Sequence, residues 1–164
     1  MVVIGAVFLC FVTEINQYRR LHDVPPLKVD HGLNKLAKKH AWGTCLNDPS
    51  MFKSSSKIKY LGLRYHLVHG NIIVKNMYEK FMLGYNWYAK HHVGRYDKYA
   101  QLIWKGTKKV GVGVCVRNDN IDVVIAFSPK ISTRDFNANV RPIGLKHVHM
   151  FGVFARNSET SRAE

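Results

Sequence analysis

An alternation of apolar residues with small or polar ones between positions 110 and 127 constrains the fold of this chain most. The alternating apolar positions are Val110, Val112, Val114 and Val116 in the first arm, and Ile121, Val123, Ile125 and Phe127 in the second. Successive side chains of a strand point to opposite faces, so this period predicts two strands that bury one face. Asn118-Asp119-Asn120 lies between the arms and favours a turn. The sequence therefore predicts an antiparallel hairpin, with Cys115 on the face opposite to the valines as a packed thiol.

Two segments with helical spacing lie near the N-terminus. The first runs to about His22 and stops before Pro25-Pro26, because prolines enforce an extended backbone. Asp30 is a suitable N-cap for the second. The apolar stripe of this second segment comprises Leu33, Leu36, Ala37, His40 and Ala41. This spacing predicts a helix with one buried face.

Less regular sequence patterns predict the remaining elements. We expect a third helix over residues 71–83, with Phe81 on its apolar face, and a fourth that contains Lys98 and ends near Gly106. The remaining expected segments are a loop over residues 47–60, an edge strand from Val148 to Phe154 and a disordered tail from Asn157 to Glu164.

Two of these segments resemble the signature of one protein family. Residues 16–27 read Asn-x-Tyr-Arg-x-x-His-x-Val-Pro-Pro-Leu, although Ile15 stands where the pattern has a leading His. Residues 96–113 contain Tyr-Ala-Gln-Leu-Ile-Trp-x-x-Thr, then a basic pair and Val-Gly-Val-Gly. Both runs resemble the CAP superfamily, which includes cysteine-rich secretory, antigen 5 and pathogenesis-related proteins. The resemblance covers roughly residues 8–145.

The resemblance implies the fold class and the domain organisation. CAP domains are α+β proteins, in which an α-β-α sandwich holds a small antiparallel sheet between helices. We therefore expect one CAP domain over residues 1–145, followed by a C-terminal extension over residues 146–164. A chain of this length and apolar content is sufficient to build one hydrophobic core.

The resemblance also indicates where the family's central cavity would lie. In the family, two His and two Glu converge in a cleft that holds a divalent metal. The matching positions here are Lys98 and Asp48 for the histidines, and Leu63 and Phe81 for the glutamates. A protonated amine and two apolar side chains are not metal ligands. We therefore expect no metal, no cofactor and no catalysis, and Asp48 and Lys98 form a hypothetical ion pair.

Other histidines do not change this expectation. The further groups are His66 with His69, His91 with His92, and His147 with His149. None has a convincing carboxylate or thiol companion in the sequence, so we expect surface histidines. His66 and His69 would point to opposite faces of an extended segment.

The strongly basic composition points to an anionic partner. The chain has 25 Lys and Arg against 11 Asp and Glu, a formal net charge of +14. A field of this size favours phosphates, anionic lipid headgroups or acidic polysaccharides. The candidate binding residues are Lys53, Lys57, Lys59, Arg95, Lys105, Lys108 and Lys109. Aromatic residues accompany these cations, but no nucleic-acid-binding motif does, and we do not expect nucleic acid as the partner.

The compartment follows less directly from the sequence. Cys10, Cys45 and Cys115 allow at most one disulfide and leave an odd thiol. Such a low count resembles the Golgi-associated pathogenesis-related branch, whose members face the cytosol. The apolar run from Val2 to Val12 has the length of a signal-peptide core, but no basic residue precedes it. We favour the start of the first core helix, and a cleaved leader remains the alternative.

Two functions are consistent with these observations. The first is a non-enzymatic CAP protein that binds anionic membranes peripherally inside the cell, as the Golgi-associated branch implies, with homodimerisation as a further implication. The second is a secreted effector or reproductive-type ligand that engages a protein or glycan receptor.

Overall fold

The computed structural model describes residues 2–87, 97–132 and 136–148 of the 164-residue chain. In these residues a four-stranded sheet carries helices on both faces. The predicted α+β fold, with a small sheet between helices, is confirmed.

Three long helices supply most of the helical layers. They are α1 (Val2–Leu21), α2 (His31–Leu46) and α3 (Ile73–Gly84). The shorter helices are the 3₁₀ helices η1 (Pro49–Met51), η2 (Leu67–Ile72) and η3 (Asp97–Leu102), and the α-helices α4 (Phe136–Asn139) and α5 (Leu145–Val148). Asp30 caps α2 as predicted, since its carboxylate accepts a hydrogen bond of 3.0 Å from the Leu33 amide.

The sheet has the strand order β1-β3-β4-β2. Its strands are β1 (Lys28–Val29), β2 (Lys59–His66), β3 (Lys109–Arg117) and β4 (Asn120–Ser128). β2, β4 and β3 pair antiparallel, while the short β1 pairs parallel to β3. Sequence analysis did not predict β2, which begins inside the segment expected to be a loop.

The predicted hairpin is confirmed, with a tighter turn than expected. Asn118 and Asp119 have φ angles of 47° and 58°, in the left-handed region. Two consecutive residues of this kind match the right-handed twist of the flanking strands. Asn120 therefore already belongs to β4 rather than to the turn.

The two faces of the sheet bury different cores. The larger core packs α1, α3 and η3 against one face, and its most buried residues include Ile15, Phe81, Leu102, Ile103, Val112 and Phe127. The smaller core lies under α2 and comprises Leu33, Ala37, Ala41, Cys45, Cys115, Val124 and Ala126. Val110, Val112 and Val114 of β3 face the larger core, as the alternation predicted, whereas Val116 near the turn is 52% exposed.

Two glycines allow α2 to lie directly on β3. A Cβ atom on Gly113 would be 2.1 Å from the carbonyl carbon of Ala37, and one on Gly111 would be 2.3 Å from that of Leu33. Neither distance is sterically possible, so the helix would have to move away from the strand. The small residues of the alternating pattern thus mark the face that α2 covers.

A disulfide joins Cys45 at the end of α2 to Cys115 in β3, across 70 residues of sequence. Cys115 does face away from the valines as predicted, but the prediction of a packed free thiol was wrong. The close approach of α2, which sequence spacing does not show, brings the two sulfur atoms together. Cys10 is left as an exposed free thiol.

The fourth helix is shorter than predicted. It is the 3₁₀ helix η3, and it ends at Leu102 rather than near Gly106. The Leu102 carbonyl accepts a hydrogen bond from the Arg19 side chain, and the Trp104 carbonyl accepts from Arg19 and, in a turn, from the Thr107 amide. Val148 ends α5, so it does not start the expected edge strand; the rest of that strand and the expected tail lie outside the described residues.

The apolar N-terminal run belongs to α1. Phe11 and Ile15 of this helix are buried in the larger core. No described helix combines the length and apolar character needed to span a bilayer. Removal of a leader stays the untested alternative.

Gly113→Ala should destabilise the protein by about 3 kcal/mol, because the added methyl group would overlap the α2 backbone. The free energy of unfolding is measured by urea denaturation. Gly62→Ala is the matched control: it lies in β2, its Cβ would meet Val124 at 3.7 Å, and we expect a change within about 0.5 kcal/mol. Equal effects of the two substitutions would contradict the close packing of α2.

Candidate functional site

Three of the four predicted cavity positions lie on elements that contact one another. Leu63 is half-buried in β2 and packs on the larger core, and Phe81 is fully buried in α3. Lys98 lies in η3, which contacts both α3 and β2. These positions therefore belong to one side of the sheet.

The side chains at these positions make packing contacts. The ring centroid of Phe81 lies 4.8 Å from that of Tyr85 and 6.0 Å from that of Trp87. Lys98 is exposed, with its Nζ atom 5.1 Å from the ring centroid of Tyr99. An ammonium over an aromatic face is a weak cation–π contact. Hydrocarbon and ammonium groups give a metal ion no ligand here.

Asp48 lies apart from these three residues. It caps η1, where its carboxylate accepts a hydrogen bond of 3.0 Å from the Ser50 amide. Hydrogen bonds from Ser50, with a smaller effect of nearby Lys39, lower the pKa of Asp48. η1 packs on α2, and within the described residues no ion pair joins Asp48 to Lys98. The hypothetical ion pair was wrong, because the two residues belong to different layers.

The described histidines form no metal centre. No group of three or more His, Cys, Asp or Glu side chains is placed to hold an ion in the part of the chain that the structure describes. His66 and His69 do not point apart as expected, because the chain turns into η2 and brings their ring centroids to 6.5 Å. His147 lies 3.8 Å from Asp23. His91, His92 and His149 lie outside the described residues.

The signature residues that match the family have structural roles. Gln101 is buried and donates to the Thr107 hydroxyl and the Pro129 carbonyl, and its own carbonyl accepts from the Ile131 amide at 2.7 Å. Trp104 is buried against Phe136. These contacts fix the start of β3 against the end of β4, which explains how the signature serves the fold without its histidine.

A buried cation holds the other matched segment in place. Arg19 is fully buried, and its guanidinium donates to the carbonyl oxygens of Pro25, Leu102, Trp104 and Thr107. Burial lowers its pKa to about 10, so the group remains protonated at neutral pH. Its partners in the described residues are four peptide carbonyls rather than a carboxylate.

His22 is a second buried polar residue of this segment. Its Nδ1 lies 2.5 Å from the Arg141 carbonyl oxygen, which only accepts, so Nδ1 carries the proton. Its Nε2 then accepts from the Tyr78 hydroxyl at 2.8 Å. Burial lowers the pKa of His22 below its ordinary value of 6.5, against the opposing effect of the hydrogen bond to Arg141. Arg19 and His22 both belong to the matched motif. Their roles depend on carbonyl groups that are distant in the sequence, so residue spacing does not reveal them.

Lysines concentrate at one end of the sheet, where β3 and β2 begin and β4 ends. We call this group the basic rim; its members are Lys28, Lys57, Lys59, Lys108, Lys109 and Lys130. Lys28 pairs with Lys109 across β1 and β3, and the Lys130 amide bonds to the Lys57 carbonyl at 3.0 Å. Four adjacent strands place these cations across about 15 Å.

One ion pair among the described residues involves the basic rim. Lys109 Nζ lies 2.9 Å from an Asp30 carboxylate oxygen. The Leu33 amide, and then Lys109, lower the pKa of Asp30. The side chains of Lys28, Lys57, Lys108 and Lys130 are exposed. The rim therefore keeps most of its positive charge uncompensated.

The rim contains part of the predicted anion-binding set. Lys57, Lys59, Lys108 and Lys109 are in both groups. Lys53 follows η1, where its backbone amide donates to the His40 ring of α2, and Lys105 lies in the turn before β3. Arg95 is outside the described residues. Sequence analysis missed Lys28 and Lys130, which only strand pairing brings to the rim.

An open cleft lies beside the larger core. Its volume is about 550 Å³ and its lining residues are Met82, Tyr85, Trp87, Asn137, Val140, Pro142 and Ile143. Burial raises the pKa of Tyr85 to about 12, so its hydroxyl is neutral at physiological pH. Tyr85 is the one titratable side chain among the described residues of this lining.

The arrangement of layers defines an α-β-α sandwich, and comparison with known proteins agrees. The model of the cysteine-rich secretory protein (CAP) family matches residues 12–127. The chain belongs to this family. It is 26% identical over 117 residues to human (Homo sapiens) Golgi-associated plant pathogenesis-related protein 1, covering 68% of this chain and 74% of that protein.

Solved structures show the same architecture. Venom allergen-like protein 4 of Schistosoma mansoni is 22% identical with a TM-score of 0.60, over 88% of this chain and 96% of its own. NaASP2, solved with Zn²⁺, is 15% identical with a TM-score of 0.57, over 83% of this chain and 85% of its own. At these identities the likeness defines the fold alone.

In the His22→Asn variant the free energy of unfolding should decrease less on acidification than in the wild-type protein. Because burial lowers the folded-state pKa of His22, the unfolded chain takes up a proton first as the pH falls below about 6.5. The free energy of unfolding then decreases by up to about 1.4 kcal/mol per pH unit for this one group. Asn keeps a donor for Arg141 but does not titrate in this range.

Urea denaturation between about pH 7.5 and about pH 5 measures this dependence. His40→Gln is the control, because burial also lowers the pKa of His40 and its share must be separated. An unchanged acid slope in His22→Asn would show that this histidine does not couple folding to protonation.

Proposed function

We propose that this CAP-domain protein binds anionic membrane surfaces peripherally, through its basic rim, and does so without catalysis. The observation that carries the proposal is the set of lysines in or next to the ends of four adjacent strands, of which Lys109 alone has an ion pair within the described residues. A surface of this kind attracts anionic headgroups with about 1 kcal/mol for each lysine held near them.

The remaining charges of the chain support this choice. The formal net charge of +14 adds long-range attraction to the local contacts. Arg64 is neutralised by Asp122, at 2.9 Å, at the opposite half of the sheet. The rim is thus the end of the sheet where cations dominate.

The proposal includes loss of the family's metal site. Leu63, Phe81 and Lys98 occupy the positions expected for ligands, and their side chains give a metal ion neither a carboxylate nor an imidazole. The family's cavity would then serve packing here. Metal-independent binding to vesicles, unchanged by a chelator, is the corresponding expectation.

The compartment is part of the proposal. One relative of this chain is Golgi-associated by name, and a peripheral location on membranes of the secretory pathway is our extension of that likeness. The resemblance also implies a homodimer, which sedimentation velocity of the purified protein would measure.

A second function is favoured by the disulfide between Cys45 and Cys115. Disulfides persist mainly in oxidising compartments, including the extracellular space. The bond therefore opposes the argument that few cysteines indicate a cytosolic location. In this alternative the protein is secreted and its basic rim engages an acidic glycan or a protein receptor.

Vesicle co-sedimentation tests the leading proposal. Lys108→Glu/Lys130→Glu reverses two exposed rim charges and should weaken binding to phosphatidylserine-containing vesicles at least tenfold, by roughly 1 kcal/mol or more per position. Lys75→Glu/Lys80→Glu changes the net charge equally, but on α3, and should leave binding within about twofold in about 0.1 M salt.

The same proteins distinguish the alternative. Binding to heparin but not to anionic vesicles would reject the membrane function and support the secreted one. Equal losses in the two double variants would show that net charge acts without the rim.

A further inference from the structure

Large apolar side chains on and beside the outer face of α2 remain partly exposed. Trp42 is 43% exposed, Leu46 is 44% exposed and Phe52, just after η1, is 46% exposed. Helix α2 packs on the sheet through a different set of residues, namely Leu33, Ala37, Ala41 and Cys45. Burial in the smaller core therefore does not account for Trp42, Leu46 and Phe52.

These three residues form one patch, which we call the α2 patch. Trp42 and Leu46 are four residues apart and lie one above the other on the helix. The tip of the Phe52 ring lies 3.3 Å from the position of a Cβ on Gly43, next to Trp42. Its ring also meets His40 edge-on, with centroids 5.5 Å apart. The patch is held by a rigid helix and by a packed aromatic ring.

Lysines surround the α2 patch. Lys35 and Lys39 share the helix face of Trp42 and Leu46, at spacings of four, three and four residues along α2. Lys53 follows Phe52 directly and is exposed. Between residues 31 and 58 the one acidic residue is Asp48, whose carboxylate is occupied in capping η1.

A short segment of chain connects Phe52 of the patch to the basic rim. The chain leaves Phe52, passes Lys53 and reaches the rim at Lys57, whose carbonyl bonds to Lys130. In the described residues the elements that pack extensively on α2 are β3, β4 and η1, all of which leave this outer face open. Apolar side chains with a border of lysines are the combination that seats a protein in a bilayer interface.

We propose that the α2 patch inserts Trp42, Leu46 and Phe52 into the interfacial region of an anionic bilayer, while the flanking lysines contact headgroup phosphates. This inference rests on the proposed membrane function and specifies how the protein is held there. An acidic glycan would satisfy the lysines but would not desolvate the leucine and phenylalanine. The bilayer is therefore the occupant that matches both the charge and the apolar surface.

Two consequences separate insertion from simple charge attraction. Insertion buries apolar area, so part of the binding should persist when about 0.5 M salt screens the lysines. Insertion also brings the Trp42 indole within reach of quenchers in the acyl chains. Trp104 is buried in the core, so its fluorescence should change little.

The experiment uses the full chain and vesicles of phosphatidylcholine with phosphatidylserine, some carrying lipids brominated near the headgroup end of the acyl chain. We expect quenching of fluorescence on binding, and loss of most of that quenching in Trp42→Phe, which identifies the residue. Trp42→Ser/Phe52→Ser should bind about tenfold more weakly and lose the salt-resistant fraction. Circular dichroism and urea midpoints confirm that the variants remain folded.

Exposed leucines on other elements provide a matched control. Leu46→Ser should weaken binding, whereas Leu83→Ser and Leu145→Ser, which remove equally apolar side chains exposed by 86% and 87% elsewhere, should not. Binding that depends on the rim lysines without quenching of Trp42 would overturn the insertion and leave the membrane function intact. Failure of the wild-type protein to bind anionic vesicles at low salt would overturn both proposals.

Discussion

The fold depends on one buried guanidinium. Arg19 lies at the end of α1 and donates to carbonyl groups in the turn before β1, at the end of η3 and in the approach to β3. The bonds to Leu102, Trp104 and Thr107 are buried away from water, and these carbonyls would lose their partner if the side chain were shortened. Because Arg19 binds groups more than 80 residues away in sequence, it also determines where η3 stops. Lysine could not replace it, since a single ammonium does not reach carbonyls in several directions.

The sheet separates two cores that are built differently. The larger one relies on branched and aromatic side chains from α1, α3 and η3, as in most globular domains. The smaller core depends on the close approach of α2 to β3. Gly111 and Gly113 permit this approach because they have no side chains to hold the helix away from the strand. A disulfide then joins the same two elements. Helix α2 is therefore fixed by backbone contact and a covalent bond more than by hydrophobic volume.

Local patterns predicted the elements whose causes are local. The period-two alternation gave the hairpin and its buried face, and Asp30 gave the start of α2, because pleat and capping act over a few residues. Sequence analysis missed β2, although apolar residues alternate with other ones from Leu61 to His66, and it missed the true length of η3, because hydrogen bonds to the distant Arg19 form where that helix ends. The pairing of Cys45 with Cys115 was open for the same reason. It requires the helix–strand distance, which the glycines set.

The candidate sites, like the fold, were only partly predictable from the sequence. The assignment of Leu63, Phe81 and Lys98 to cavity positions stays a prediction of the resemblance, while the position of Asp48 in another layer could not be predicted from it. The basic rim also contains Lys28 and Lys130, which were not among the lysines predicted from the sequence to bind anions. Backbone pairing brings these two residues to the same end of the sheet as the predicted ones. The sequence did carry a signal for part of the α2 patch, since Trp42 and Leu46 lie outside the predicted apolar stripe, but only the structure brings Phe52 beside them.

The covalent link at the end of α2 has a thermodynamic consequence for recognition. Trp42 and Leu46 lie on either side of Cys45 along the helix, so the disulfide anchors the backbone that carries them. A flexible segment must give up conformational entropy when it meets its partner, and that loss subtracts from affinity. Here the ordering is completed during folding. The outer surface of α2 is presented in a preorganised shape, and any partner that fits it gains affinity from that rigidity.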